Sequence, residues 1–185
     1  MPSPPPFVTL NRPSVETLRL PDDNRILFYG RDAASFGFLS HMWPSPILLD
    51  GETWPTVEHY YQAQKSHDVD YRAAIRAVPS PGRAKRLAVS PHHPRRRSRQ
   101  SWFRRNGQEP REDWQQVKLD VMRRADWAKY AQNPALGALL LDTGDAELVE
   151  DSPVDSFWGI GPDGAGHNWA GRVLMDVRRR LRDEG

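Results

Sequence analysis

The stretch that most constrains the fold is "REDWQQVKLDVMRRADWAKYAQN", residues 111–133, which contains neither proline nor glycine. Its apolar residues fall at positions 114, 117, 121, 125 and 128, a helical stripe that stops just before Pro134. The rest of the chain is cut into shorter pieces by 17 prolines and 13 glycines. "RILFYG" (25–30) reads as a short strand ending at a glycine. Ile47–Leu49 reads as a second strand, with a turn at Asp50–Gly51 leading back through Thr53–Trp54. Pro55 and Thr56 then open a helix, Thr56 being its N-cap. "DYRAAIRAVPSPGRAKRLAV" carries two short helical pieces broken at Pro79–Gly82, and "PALGALLLDTG" carries another, with Gly144 near its end. "AELVEDSP" reads as a strand, and "WAGRVLMDVRRRLRDEG" as a closing helix. The expectation is an α+β, mainly α-helical domain over residues 25–185, with a short N-terminal hairpin or a few short strands packed against helices. A partly ordered, proline-rich arm over residues 1–24 precedes it. No period of roughly 20–50 residues is visible, which excludes a solenoid.

A chain of 185 residues has room for one domain with a real core, and seven tryptophans argue against disorder. The absence of cysteine excludes a disulfide framework and a thiolate metal site. His92 and His93 are adjacent but lack metal-ligand spacing with any partner, so no metal is expected. No apolar run approaches the ~18–20 residues of a membrane span, and the N-terminus has no basic-then-apolar leader. Cytoplasmic location without a membrane partner is the expectation. The net charge of +2 hides an uneven distribution, because the arginines and lysines from Arg83 to Arg111 are opposed by Glu109 alone. A field of that sign attracts phosphates, and it equally serves a solubilising loop. Trp102 and Phe103 inside this basic insert (about 90–111) point towards stacking on bases, hence towards a DNA contact.

Two polar constellations could carry chemistry. In "DGETWPTVEHYYQAQK" (50–65), Glu58, Tyr61, Gln62 and Lys65 fall within one arc of a helix, while His59, Tyr60, Ala63 and Gln64 lie elsewhere. Glu58 and Lys65 are about 10 Å apart along the axis, beyond the usual i,i+4 pair. Such a stripe is either wet or covered by a partner that uses it. Glu58 sits in the first turn, where the helix dipole favours a carboxylate anion, suited to accepting a proton or steadying a cation. The second constellation, "EDSPVDSFWGIGPDGAGHNWAG" (150–171), gathers Glu150, Asp151, Asp155 and Asp163 with Trp158, His167 and Asn168 among glycines such as Gly159. Those glycines allow close backbone approach and unhindered N–H groups, or simply a tight turn around a tryptophan. There is no P-loop signature and no evident serine triad.

"FYG", "FLS", "WPSPILLDGETWPTVEHYYQAQK", "W-x-x-V-K-x-x-V-M" from Trp114 to Met122, "ALLLDTG-x-x-x-LVE" and "D-S-F-W-G-x-G" follow one another in this order. Together they resemble the YbiA-like, or NADAR, family of N-glycosidases over roughly residues 26–182. The resemblance implies a small, mainly helical protein that hydrolyses N-glycosidic bonds. Its substrate would be a phosphoribosylamine intermediate of riboflavin synthesis or ADP-ribose attached to guanine in nucleic acid. It would make Glu58 the principal catalytic carboxylate and place Asp155, Trp114 and Trp158 at the substrate. Tyr61, Gln62, Lys65, Gly159 and Asn168 would complete the binding site, Lys65 towards a phosphate; neither a cofactor nor a metal is implied. Two departures stand out: the insert "SPHHPRRRSRQSWFRRNGQEP" is long for the family, and residues 1–24 are additional.

The chemistry agrees independently. Cleaving an N-glycosidic bond builds positive charge on the ribosyl carbon, which a fixed anion stabilises. Glu58 and Asp155 can supply anions, Trp114 or Trp158 an aromatic shelf, and Lys65 a phosphate donor. Two other classes stay open: a module that binds ADP-ribose or NAD without cleaving it, and a nucleic-acid binder built on the basic insert.

Overall fold

A computed structural model describes residues 24–30, 34–93 and 99–184. Strand β1 (Arg25–Phe28) leads through a 3-10 helix (Ala34–Leu39) to β2 (Ile47–Leu49) and β3 (Glu52–Trp54). Helices α1 (Val57–Ala63), α2 (Val69–Ala77), α3 (Pro81–Leu87), α4 (Trp102–Asn106), α5 (Trp114–Ala131) and α6 (Pro134–Asp142) follow, then β4 (Glu147–Glu150) and α7 (Trp169–Glu184). The mainly helical α+β expectation holds. The long proline-free stretch is α5, and the hairpin falls where Asp50–Gly51 placed it, with Ile47 opposite Trp54. Asp50 and Gly51 both take positive φ, 56° and 76°, as a two-residue primed turn requires.

Four details differ from the sequence reading. The segment before His41, to which the sequence reading gave no element, makes the 3-10 helix. The break between α2 and α3 is narrower than expected, because Ser80 caps α3 and Pro81 occupies its first turn. β1 pairs in parallel with β4, Ile26 opposite Leu148, which no local pattern announces. The basic insert is also anchored: Phe103 of α4 is fully buried against Tyr71, ring centroids 4.8 Å apart, and Trp102 packs on the same tyrosine. Phe103 is therefore no base-stacking platform, whereas Trp102 is half-buried. Residues 94–98 of the insert and residues 1–23 of the arm lie outside the described residues.

The apolar side chains form two clusters. One joins Ile47, Trp54, Tyr60, Tyr71, Ile75, Phe103, Trp114 and Met122 from the hairpin, α1, α2, α4 and the first turns of α5. The other joins Ile26, Phe28, Phe38, Leu140, Leu148, Val173 and Leu174 from β1, the 3-10 helix, α6, β4 and α7. Trp158, in the loop before α7, packs against both. α7 approaches β4 closely enough that a side chain at Gly171 would meet the Leu148 carbonyl and the Asn168 amide. Among the described residues, no helix is long and apolar enough to cross a membrane.

Candidate active site

All seven residues of α1 are buried, so the polar stripe of the opening motif is covered, not wet. Burial demands partners for its polar groups. Thr56 caps the helix as expected, accepting from the His59 backbone N–H, and its hydroxyl meets His59 Nδ1 at 2.8 Å. His59 Nε2–H donates to the Val78 carbonyl (3.2 Å), which makes this histidine a strut between helices. Tyr60 donates to Asp50 (3.0 Å) and helps clamp the hairpin turn. Glu58 and Gln62 are different. Gln62 Nε2 donates to Glu58 Oε1 at 2.8 Å, while Gln62 Oε1 is buried with no partner among the described residues.

This pair borders an aromatic wall. The Tyr61 ring lies 4.9 Å from Trp114 and 5.5 Å, edge-on, from Trp158. Phe157 continues the row 5.0 Å beyond Trp158, and the Lys118 ammonium sits over its face. Burial first, and the Glu58 charge next, push the Tyr61 hydroxyl far above its ordinary value, so it remains a neutral donor. The Lys65 ammonium lies 5.8 Å from the Trp114 ring and donates to the Ala88 carbonyl (3.3 Å).

The loop before α7 brings in Asp155. Its Oδ1 accepts from the backbone N–H groups of Phe157 (3.0 Å) and Trp158 (2.9 Å), folding the loop so that Trp158 meets Tyr61. Gly159 is glycine for packing reasons, since a side chain there would collide with the Glu150 carbonyl and Ser152. Gly159, Gly161 and Gly164 carry the spacing G-x-G-x-x-G, but two of their three N–H groups are already committed within the loop. The Gly159 and Gly164 N–H groups, and that of Gly166, all donate within the loop, to Asp155, Gly161 and Ile160. Asn168 takes a positive φ of 52°, and both ends of its amide are held by β4: Oδ1 accepts from Glu150 N–H (3.0 Å) and Nδ2 donates to Leu148 (2.9 Å).

The structure adds residues that sequence reasoning did not single out as site candidates. His41 follows the 3-10 helix; its carbonyl accepts the Glu58 N–H (3.1 Å), and its Nε2–H donates to the fully buried Asp126 (3.1 Å). The ring stands edge-on to Trp158, centroids 6.3 Å apart. Burial alone would lower the His41 pKa, but the charge and hydrogen bond of Asp126, together with Glu150, raise it. Lys129, one turn after Asp126 on α5, donates to the Phe38 and Ser40 carbonyls (2.6 and 2.9 Å) and fixes the segment carrying His41. Glu150 ends β4 with Oε2 buried and no partner among the described residues. Burial raises its pKa; Asp155 and Glu58 add to that, and His41 and Lys85 oppose it. Glu150 closes the "LVE" motif and His41 follows "FLS", so their positions were marked in the sequence even though their roles were not. Asp126 carried no signal beyond lying one turn after Met122 on α5.

What emerges is a group of carboxylates, Glu58, Glu150 and Asp155, beside an aromatic wall and flanked by Lys65, Lys85 and Lys118. Two buried oxygens, Gln62 Oε1 and Glu150 Oε2, have no hydrogen-bond partner among the described residues. A ligand donor would complete the Gln62 amide oxygen, and a ligand acceptor would complete the Glu150 carboxyl in its protonated form. Among the described residues, no group of three or more acidic or histidine side chains is arranged to hold a metal ion.

A NADAR domain family model matches residues 27–182, and the chain belongs to that family. It is 42% identical over 159 residues to N-glycosidase YbiA of Escherichia coli (strain K12), covering 86% of this chain and 89% of the relative. An N-glycosidase of Nostoc punctiforme is 38% identical over 151 residues, 80% of this chain and 87% of that protein. A riboflavin biosynthesis protein of Vibrio vulnificus is 40% identical over 158 residues, which make up 85% of this chain but 39% of that longer protein. The NMR structure of E. coli YbiA superposes with a TM-score of 0.70, covering 86% of this chain and 85% of that one.

Proposed function

We propose that this chain is an N-glycosidase that hydrolyses the bond between a ribosyl carbon and the nitrogen of a nucleobase-like leaving group. The single observation that carries the reading is the covered Glu58–Gln62 pair, whose free acceptor faces no protein donor, placed beside the Tyr61, Trp114 and Trp158 rings. Relatives named as N-glycosidases and as a riboflavin biosynthesis protein support it from outside the geometry.

In this reading the C–N bond lengthens, positive charge grows on the anomeric carbon, and the Glu58 carboxylate stabilises that charge and takes a proton from the attacking water. Gln62 orients Glu58 through the 2.8 Å bond. Trp158 and Trp114 form the shelf for the leaving base, with Tyr61 between them. Asp155 offers its remaining oxygen to a ribose hydroxyl or to the base. Lys65 is the donor for a phosphate, and Gly159 and Asn168 shape the wall from behind. The substrate is a phosphoribosylamine of the riboflavin pathway or ADP-ribose on guanine, and the protein acts in the cytoplasm.

The test offers purified protein both substrates in parallel: a riboflavin-pathway phosphoribosylaminopyrimidine, and a DNA oligonucleotide ADP-ribosylated on guanine. Release of free sugar phosphate or ADP-ribose from one of them, abolished in Glu58→Gln, is the expected outcome. Recovery of both intact after prolonged incubation would instead mean a binding module. A steep loss of affinity between 50 and 200 mM salt on the DNA substrate alone would assign the basic insert a nucleic-acid role.

A further inference from the structure

Glycoside cleavage commonly pairs two carboxyl groups in opposite protonation states, one to accept a proton from water and one to give a proton to the leaving group. Glu58 has a donor aimed at it, from Gln62, which a carboxylate accepts. The donors to Asp155 Oδ1 come from the backbone of its own loop, so that oxygen is committed to folding the loop. Glu150 is arranged otherwise: no described residue presents a donor to its buried Oε2, which suits a carboxylic acid keeping its own proton.

Its backbone is also held more firmly than a loop residue's would be. The Glu150 N–H donates to Asn168 Oδ1 (3.0 Å), and its carbonyl accepts from Ser152 (2.9 Å) and Ile160 (3.0 Å). The parallel ladder with β1 ends here, Phe28 opposite Glu150. A group that must deliver a proton over hydrogen-bond distance benefits from such a rigid mount. The charged groups felt at this carboxyl are His41, Asp155, Lys85 and Glu58.

We propose that Glu150 is the acid that protonates the departing nitrogen, in partnership with Glu58 as the base; the inference rests on the glycosidase reading above. As the C1′–N bond breaks, its electron pair stays on nitrogen and takes the Glu150 proton. Water oxygen bonds to C1′ and loses one proton to Glu58. The products are a free sugar hydroxyl and an N–H base, with Glu150 left ionised and Glu58 protonated; one proton returned from Glu58 to Glu150 through solvent restores both. His41, held by Asp126, is a positioning residue whose charge adjusts how readily Glu150 keeps its proton.

The experiment measures kcat from pH 5 to 9 for wild type, Glu150→Gln and Glu58→Gln, on whichever of the two substrates above wild type cleaves, with thermal melts confirming folding. Wild type is expected to decline on the alkaline side, and Glu150→Gln to lose about 100-fold or more in kcat, the usual scale for acid–base groups, together with that decline. Glu58→Gln is expected to be comparably slow while keeping the alkaline decline. Near-native kcat in Glu150→Gln, or a loss with the alkaline decline intact, overturns the assignment while Glu58→Gln inactivity keeps the glycosidase reading. Inactivity of wild type on both substrates overturns the two together. Should Glu150→Gln fail to fold, Glu150→Asp decides: a reduced kcat that retains the alkaline decline supports the acid role, and its disappearance refutes it.

Discussion

Replacing Glu58 by glutamine removes a charge while leaving shape and hydrogen bonding in place. Gln62 Nε2 donates to Glu58 Oε1 at 2.8 Å, and the new amide can turn its own oxygen towards the same donor. Packing in α1 should therefore survive, with Glu58 only 6% exposed and Gln62 3%. What disappears is the interaction between an anion and the cation developing at the anomeric carbon. Two unit charges about 4 Å apart interact by about 4 kcal/mol at an effective dielectric of ~20. At 1.36 kcal/mol per decade that corresponds to about 1,000-fold, and a partly developed charge reduces it towards about 100-fold. The loss should appear in kcat with KM nearly constant, because the charge exists only near the transition state. Steady-state release of sugar phosphate by purified wild type and variant, with matched melting temperatures, measures it. Hydrolysis by Glu58→Gln at the native rate, or a loss confined to KM, would refute the electrostatic role.

Three further outcomes follow from other parts of the fold. Gly171→Ala places a methyl against the Leu148 carbonyl and should lower stability by about 1–3 kcal/mol, roughly 2–12 °C in melting temperature; an unchanged melt would mean α7 can retreat from β4 freely. Phe103→Ala should cost about 3–5 kcal/mol in denaturant unfolding even though it lies in the basic insert, and a neutral result would make the insert a detachable arm. The raised folded pKa of His41 means its stabilising charge is fully present below its ordinary value near ~6.5 and is lost as pH climbs through the raised value. The gap in melting temperature between wild type and His41→Asn should therefore be widest near pH ~6 and narrow above it. Lys129, which burial pushes down to about 7, opposes the His41 charge and titrates in the same window, so it enters the comparison through that coupling. A gap that stays constant from pH 5.5 to 8 would show that His41 acts only through shape.

Where local signals governed the fold, the sequence was readable. The α5 stripe, the Asp50–Gly51 turn and the Thr56 cap each depend on a few neighbouring residues, and each appears as read. The parallel pairing of β1 with β4 joins segments more than a hundred residues apart, so no period in either segment could announce it. The site divides in the same way. The arc containing Glu58, Tyr61 and Gln62 was legible because helical spacing brings those residues together. Its burial was not legible, because α1 alone has a polar face that only the rest of the fold covers. His41 and Asp126 were hidden for a related reason: their meaning lies in a contact between the turn after the 3-10 helix and α5, whereas Glu150 stood in the second constellation without a role. Trp102 and Phe103 show the opposite hazard, since aromatic rings inside a basic run suggest a ligand-facing surface but here anchor the insert on Tyr71.

The two carboxylates assigned opposite proton roles also arise from opposite halves of the molecule. Glu58 belongs to the helix at the centre of the first apolar cluster, and Glu150 ends a strand whose Leu148 lies in the second. The His41 carbonyl accepts the Glu58 N–H, while the segment just before it is tied to α5 by Lys129. Trp158 packs against both clusters. The distance between base and acid is therefore set by the docking of two cores and not by either element alone. A site built this way can hold one carboxyl group in contact with a donor and another without, because each is furnished by different surroundings. That asymmetry is what hydrolysis with separate proton acceptance and donation requires.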